Sequence, residues 1–241
     1  MELVYLAAAG AARAMFTSLG LRIHIVGAEH VPATGPVVLA SNHVSFLDFT
    51  LVGITASPRR VRFLTRQDAF DHWAAGPFLR AMRHVPVDRA APAAAYLTAR
   101  SLLRSGEAVG VFPEAGISQA YDVRELMPGA VALAAATGAP LVPIAIWGPQ
   151  RIASARRPLD LHRGRPVSIW VDAPISHDRS TDVVAATADL GVRLQTLLDR
   201  LQALPEQQPP PGEPAPWHPA HLGGCAPTRA EAAPRESSPR S

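Results

Sequence analysis

Between residues 21 and 204 short apolar runs alternate with helix-patterned stretches, and few architectures accommodate that alternation. "LRIHIVG" (residues 21–27) alternates like a strand with one exposed face. "PVVLAS" (36–41) and "AVGVFPE" (108–114) are continuous apolar runs, the pattern of strands covered on both faces. "PLVPIAIWG" (140–148) and "PVSIWVDAPI" (166–175) add two more strands. Helical patterns fall at 47–56, 73–82, 93–103, 128–137 and 182–204, the fourth opened by a proline in its first turn. Strands alternating with helices predict an α/β fold, a single domain over 21–204 with a largely buried mixed sheet flanked by helices. Hydrophobic residues make up 48% of the 241, enough for such a core.

The two ends read differently. "MELVYLAAAGAARAMFTSLG" (1–20) carries an apolar stripe at Leu3, Leu6, Ala7, Gly10, Ala11 and Ala14, which predicts an amphipathic helix. Its apolar run, residues 3–12, is about half the length of a membrane span, and Glu2 stands where a secretory signal carries positive charge. Two placements stay open: a helix lying on a membrane surface, or one packed on its own domain. Residues 205–241 hold ten of the 24 prolines, a composition that predicts a disordered tail. His218, His221 and Cys225 lie inside it, but one-turn spacing beside Pro219 is poor evidence for a metal site, and none is expected.

Charge and cysteine usage narrow the function classes. The net charge is +3, and all 23 basic residues are arginine, whose planar fork suits phosphate and carboxylate. Anionic partners are therefore favoured, though the arginines are scattered and no basic run is laced with aromatics, which argues against nucleic acid. Cys225 is the sole cysteine, so there is no intrachain disulfide and no thiolate cluster.

The chemistry concentrates in "SNHVSFLDFT" (41–50). On one continuous helix, residues five apart are turned about 140° from each other. His43 and Asp48 therefore meet only if His43 lies in the loop before the helix. Ser45 as N-cap would allow that, placing Asp48 three residues in, at the end of a strand, where α/β folds gather their sites. The same spacing also suits a plain capping box with an idle histidine. As a pair, a neutral imidazole would take a proton from an alcohol, and the carboxylate would fix its tautomer. No G-x-S-x-G elbow is present, so the attacking hydroxyl would belong to a substrate.

"NHVSFLD" (42–48) resembles the N-H-x4-D signature of the glycerolipid acyltransferase family, which includes bacterial 1-acylglycerol-3-phosphate acyltransferases. "HVPVDR" (84–89), "VFPEAGIS" (111–118) and "LVPIAIWG" (141–148) resemble its next three blocks, in order. The resemblance spans roughly residues 21–175. It implies His43 as general base and Asp48 as the carboxylate that orients it. It implies Arg89 at the acceptor's phosphate, with Arg66 as a second phosphate candidate. Glu114 and Gly116 would help form the acceptor site, and Pro143 would shape the pocket. Each has a plain structural alternative: Arg89 paired with Asp88, Glu114 as a strand-end carboxylate, Pro143 as a strand-edge residue.

By this resemblance an acyl group would pass from an acyl thioester, on coenzyme A or acyl carrier protein, to a lysophospholipid hydroxyl. Lysophosphatidic acid giving phosphatidic acid is the default, and neither cofactor nor metal is required. The expected place is the cytoplasmic face of a membrane. Alternatives are a different lysophospholipid or glycolipid acceptor, a hydrolase, and a non-enzymatic lipid-binding protein on the same fold. The chain departs from the family's usual third block, with Ala115, Gly116 and Ile117 for Gly, Thr and Arg, and has Arg83 near a usual Gly. The lost guanidinium removes a bidentate phosphate contact, for which Arg83 is one replacement and a changed acceptor another explanation.

Overall fold

In a computed structural model, residues 2–73, 75–88 and 90–237 are described, the side chains of residues 2, 3 and 235–237 excepted. Seven strands form one sheet in the order β1-β7-β6-β2-β5-β3-β4. The strands are β1 (Arg22–Val26), β2 (Val37–Ser41), β3 (Val61–Arg66), β4 (Val85–Val87), β5 (Ala108–Val111), β6 (Leu141–Trp147) and β7 (Pro166–Val171). All neighbours run parallel except β6 and β7, so the sheet is mixed as expected. β1 is an edge strand with one half-exposed face, and β2, β5 and β6 are wholly buried. β3 and β4 follow no apolar run of the kind that predicts a strand. Val61, Arg62 and Phe63 are buried, and the Arg62 guanidinium is satisfied by Glu107 (2.6 Å) and the Met82 carbonyl (2.7 Å). A buried arginine breaks the pattern by which such a strand is read.

Alternating side chains divide the core between the two faces. Val38 and Ala40 of β2 face α5 (Ala93–Arg104), α6 (Gly129–Thr137) and α7 (Val183–Gln202), where Leu103, Leu133, Leu194 and Leu198 are fully buried. Val37 and Leu39 face α1 (Glu2–Ser18) and α2 (Asp48–Thr55), against Phe16, Leu51 and Val52. Two short helices, α3 (Gln67–Asp71) and α4 (Ala75–Ala81), follow β3. Pro143 is no edge residue. It lies mid-way along β6, an interior strand, opposite Ala40.

Two expectations need amendment. The stripe of α1 that meets the domain is Tyr5, Ala8, Ala9, Ala12 and Phe16, with the Tyr5 hydroxyl accepting the Val61 N–H (3.2 Å). The stripe read from sequence, Leu6, Ala7, Gly10, Ala11 and Ala14, points outward, and the Leu3 side chain lies outside the described residues. The helix thus has two apolar faces. The proline-rich tail is also not disordered over 205–237. It ends in α8 (Arg229–Ser237) and packs on the domain, with Gln207, Ala215, His218, Ala226 and Ala232 buried. Arg151 explains why: its guanidinium donates to the Gln207 carbonyl and side chain (3.0 and 2.6 Å) and lies 3.8 Å over the Trp217 ring. Composition predicts too little apolar surface to bury, yet the tail is held by an arginine of the domain that it helps to cover.

His218, His221 and Cys225 do not converge. His218 sits between Trp147 and Trp217, His221 faces Asp122 (3.6 Å), and Cys225 is exposed. Among the described residues no three metal-binding side chains gather.

Truncation after Leu204 removes the Gln207 bonds and the Trp217 ring from Arg151, and hydrogen bonds to a charged group contribute about 1.5–3 kcal/mol. The truncated chain is expected to unfold at clearly lower urea. An unchanged midpoint would show that the tail is not packed in solution.

Candidate active site

β2 ends where its backbone pairing with β6 gives way to a side chain. The Asn42 amide donates to the Ile146 carbonyl (3.0 Å) and its oxygen accepts the Ile146 N–H (2.7 Å). The next residue, His43, therefore leaves the sheet at its carboxyl end, in a loop and not on the helix. Asp48 is the first residue of α2, not the third, and Ser45 is not its N-cap. The Ser45 hydroxyl accepts the Leu47 N–H (3.1 Å) and donates to the Ala153 and Pro149 carbonyls (2.6 and 3.2 Å), fastening the loop to the segment after β6.

Asp48 is fully buried, and one of its oxygens organises the loop. Oδ2 accepts the Val44 and Ser45 N–H groups (both 2.8 Å) and lies 2.9 Å from His43 Nδ1. An ionised carboxylate only accepts, so Nδ1 carries the proton and Nε2 is left with its lone pair. Holding backbone and orienting the imidazole are therefore not rivals. One carboxylate does both, on the loop before α2 and not on the helix end. His43 remains partly open, 19% exposed, with its ring stacked 4.2 Å from that of Phe112.

The block that follows β5 grips the same residue from the other side. Glu114 Oε1 accepts the His43 N–H (2.7 Å), Oε2 accepts the Arg124 N–H (2.9 Å), and the Ser118 N–H donates to the His43 carbonyl (2.8 Å). Burial pushes the Glu114 carboxyl up to about 8, against the two N–H groups and the Arg124 guanidinium, which favour its charge. Both oxygens hold main chain, so the structure places Glu114 as a positioning residue. Ala115 sits at φ 54 and Arg83 at φ 57, left-handed positions that suit the glycine expected there and cost other residues ~1 kcal/mol or more.

The remaining candidates lie further out. Arg66, at the carboxyl end of β3, closes its fork on Asp68 through Nε (3.0 Å) and Nη2. Arg89 lies outside the described residues. Arg83 turns to Glu107 (3.7 Å), just before β5 and at the opposite end of that strand from the site.

A small apolar groove, which the sequence did not signal, lies two aromatic rings from the histidine. It lies between Ala8, Ala9 and Ala12 of α1 and Phe49, Gly53 and Phe78. Phe63 lines it and stacks on Phe112 (5.8 Å), linking the groove to the His43 ring. Small residues on α1 make this space, and no periodicity distinguishes them from ordinary helix formers.

His84, which opens the second block, packs edge-on to Phe63 and Phe49, and its Nδ1 accepts the Phe63 N–H (3.1 Å). Burial, aided by the Arg62 charge, lowers its pKa to about 4. Below the ordinary histidine value, near 6.5, the unfolded chain takes up a proton that the fold refuses. Stability held by neutral His84 is thus present above about pH 6.5 and is lost as pH falls towards 4, by up to about 3 kcal/mol. Glu114 titrates with the opposite sign, so the test is a difference. In urea unfolding at several pH values, the gap between wild type and His84→Asn should shrink on acidification. A gap independent of pH would refute it.

Comparison with known proteins places this geometry. A family model described as Acyltransferase matches residues 22–147. A 1-acyl-sn-glycerol-3-phosphate acyltransferase of Bacillus subtilis is 31% identical over 199 residues, covering 80% of this chain and 98% of the relative. A chloroplastic 1-acyl-sn-glycerol-3-phosphate acyltransferase of Arabidopsis thaliana is 31% identical over 172 residues, 69% of this chain and 47% of that one. In fold, the chain is similar to the crystal structure of the 1-acyl-sn-glycerophosphate acyltransferase PlsC from Thermotoga maritima. That match has a TM-score of 0.67 and 20% identity, covering 81% of this chain and 78% of the other.

Proposed function

The chain belongs to the acyltransferase family and is an acyltransferase, and we propose that it acylates lysophosphatidic acid to phosphatidic acid, a step of phospholipid synthesis. The observation that carries the reading is the 2.9 Å contact of His43 Nδ1 with buried Asp48, which leaves Nε2 facing away from the carboxylate. Nε2 takes the proton of the acceptor hydroxyl as that oxygen attacks the thioester carbonyl. The tetrahedral intermediate collapses, the carbon–sulfur bond breaks, and Nε2 returns the proton to the departing thiolate. The nucleophile is the substrate's own hydroxyl, so the step forms no acyl-enzyme, and neither cofactor nor metal enters it. The thioester is acyl-CoA or acyl carrier protein, serving as co-substrate.

A membrane surface is the proposed partner, at its cytoplasmic face. Two observations support it: the outward apolar stripe of α1, with Leu6 63% exposed, and Trp73, 86% exposed. No helix among the described residues is long and apolar enough to cross a membrane, so attachment would be interfacial.

His43→Ala is expected to lower turnover of lysophosphatidic acid with acyl-CoA or acyl carrier protein by roughly 10²–10⁴-fold. Mass spectrometry of the lipid product measures it. Free fatty acid in place of phosphatidic acid would indicate hydrolysis, and near-normal turnover would refute the mechanism. Leu6→Asp is expected to reduce co-sedimentation with anionic phospholipid vesicles, and unchanged binding would remove α1 from the membrane contact.

A further inference from the structure

The segment between β6 and β7 carries charge that the proton transfer does not use. "ASARRPLDLHRGR" (153–165) holds four arginines and one aspartate, so it accounts for the chain's whole formal charge of +3, and the other residues balance. Its one acidic side chain is engaged within the segment. Asp160 accepts the His162 N–H (3.0 Å) and the Arg165 guanidinium, while its own N–H donates to the Ile152 carbonyl (2.9 Å). Leu159 and Leu161, on either side of it, are 65% and 56% exposed, and Arg163 is exposed beside them. A single exposed leucine is ordinary, but two in one segment of concentrated positive charge form a mixed apolar and basic surface.

The place of this segment is fixed. It leaves β6 and enters β7 at the carboxyl end of β2, because β6 runs parallel to β2 and antiparallel to β7. At its start the Ala153 carbonyl accepts the Phe46 N–H (3.1 Å) and the Ser154 hydroxyl donates to the Val44 carbonyl (2.7 Å). It therefore abuts the His43 loop, whose Phe46 is also exposed. At its end the Gly164 N–H donates to the carbonyl of Leu19, the residue after α1 (2.9 Å), and Met15 in the last turn of α1 is exposed. In the sheet order, β6 and β7 lie on one side of β2, and β3, which Trp73 follows, lies on the other. Exposed apolar residues thus follow strands on both sides of the one that carries His43.

We propose that residues 153–165 are a second membrane contact, in which Leu159 and Leu161 enter the lipid surface and the arginine-rich chain around them is held by anionic headgroups. This rests on the reading of the protein as attached to a membrane surface and adds an orientation to it. With α1 and this segment both on the bilayer, the end of β2 that bears His43 is turned to the lipid that holds the acceptor. The attraction is the summed field of the segment, so it does not require any one guanidinium to be without a partner. Continuity favours a bilayer over an acidic protein. The segment is bonded to the residue that follows α1, whose outward stripe is apolar, so the two adjoin as one surface.

The test compares wild type, the double variant Leu159→Ser/Leu161→Ser, and Arg163→Gln for co-sedimentation with vesicles of phosphatidylcholine and phosphatidylglycerol. The double variant is expected to partition roughly 10–100-fold more weakly. Arg163→Gln should lose about fivefold at low salt and less at high salt. Turnover of vesicle-borne lysophosphatidic acid should fall in the double variant, while turnover of a short-chain, water-soluble lysophosphatidic acid is kept, which a misfolded protein could not do. Variants that partition like wild type would overturn the contact, and Leu6→Asp still weakening binding would leave the membrane reading standing. Wild type that does not bind the vesicles would overturn both. Normal partitioning with turnover lost only when acyl carrier protein is the donor would assign the segment to that protein and overturn the lipid contact.

Discussion

The site depends on one oxygen atom. Asp48 Oδ2 meets three donors, the His43 ring and two consecutive main-chain N–H groups, in a place that water does not reach. A buried donor left without its acceptor costs about 1–3 kcal/mol, so the loop has little freedom to adopt another shape. Every further contact builds on that shape. Ser45 reaches the segment after β6 only because the loop curls, and Ser118 and Glu114 close on His43 only because its peptide faces the end of β5. The four residues between histidine and aspartate are the length of chain the curl requires. Asn42 completes the arrangement by ending the sheet with a side-chain imitation of a strand pair.

Most of the sheet and the histidine–aspartate pair were legible in the sequence, for different reasons. β2, β5 and β6 are covered on both faces, so burial leaves an unbroken apolar signature. β3 has no such signature because Arg62 is buried with dedicated acceptors, a pairing that becomes visible only when Glu107 and Met82 are brought close. The pair at residues 43 and 48 could be read as partners, but the shared oxygen could not. Residue spacing carries no information on which atom accepts. Glu114 was legible as part of the site and not in its manner of acting, since a carboxylate that serves two main-chain amides looks in sequence like one that serves a ligand. Arg124 carried no signal, being ten residues beyond Glu114 in an irregular loop.

The departures from the family pattern fall outside the proton-transferring pair. Ala115 and Arg83 occupy left-handed backbone where glycine is usual, and Ile117 turns a position usually cationic into core. The strand ends that hold His43 are fixed by the sheet, whereas the loop beyond β5 is fixed by side chains of α7 and of the tail.

The segment after Leu204 carries a further consequence. Proline is poorly suited to helix or sheet, and for that reason a proline-rich stretch was expected to remain loose. The same ring that removes a hydrogen-bond donor also restricts the backbone before any folding occurs. A chain already confined in this way surrenders less conformational entropy when it is laid down, so a few strong contacts can secure a long run. Gln207 on Arg151, Trp217 above the same guanidinium and His218 against Trp147 are such contacts. Composition that reads as disorder is also suited to a strap: stiff when free, and held at a small number of points.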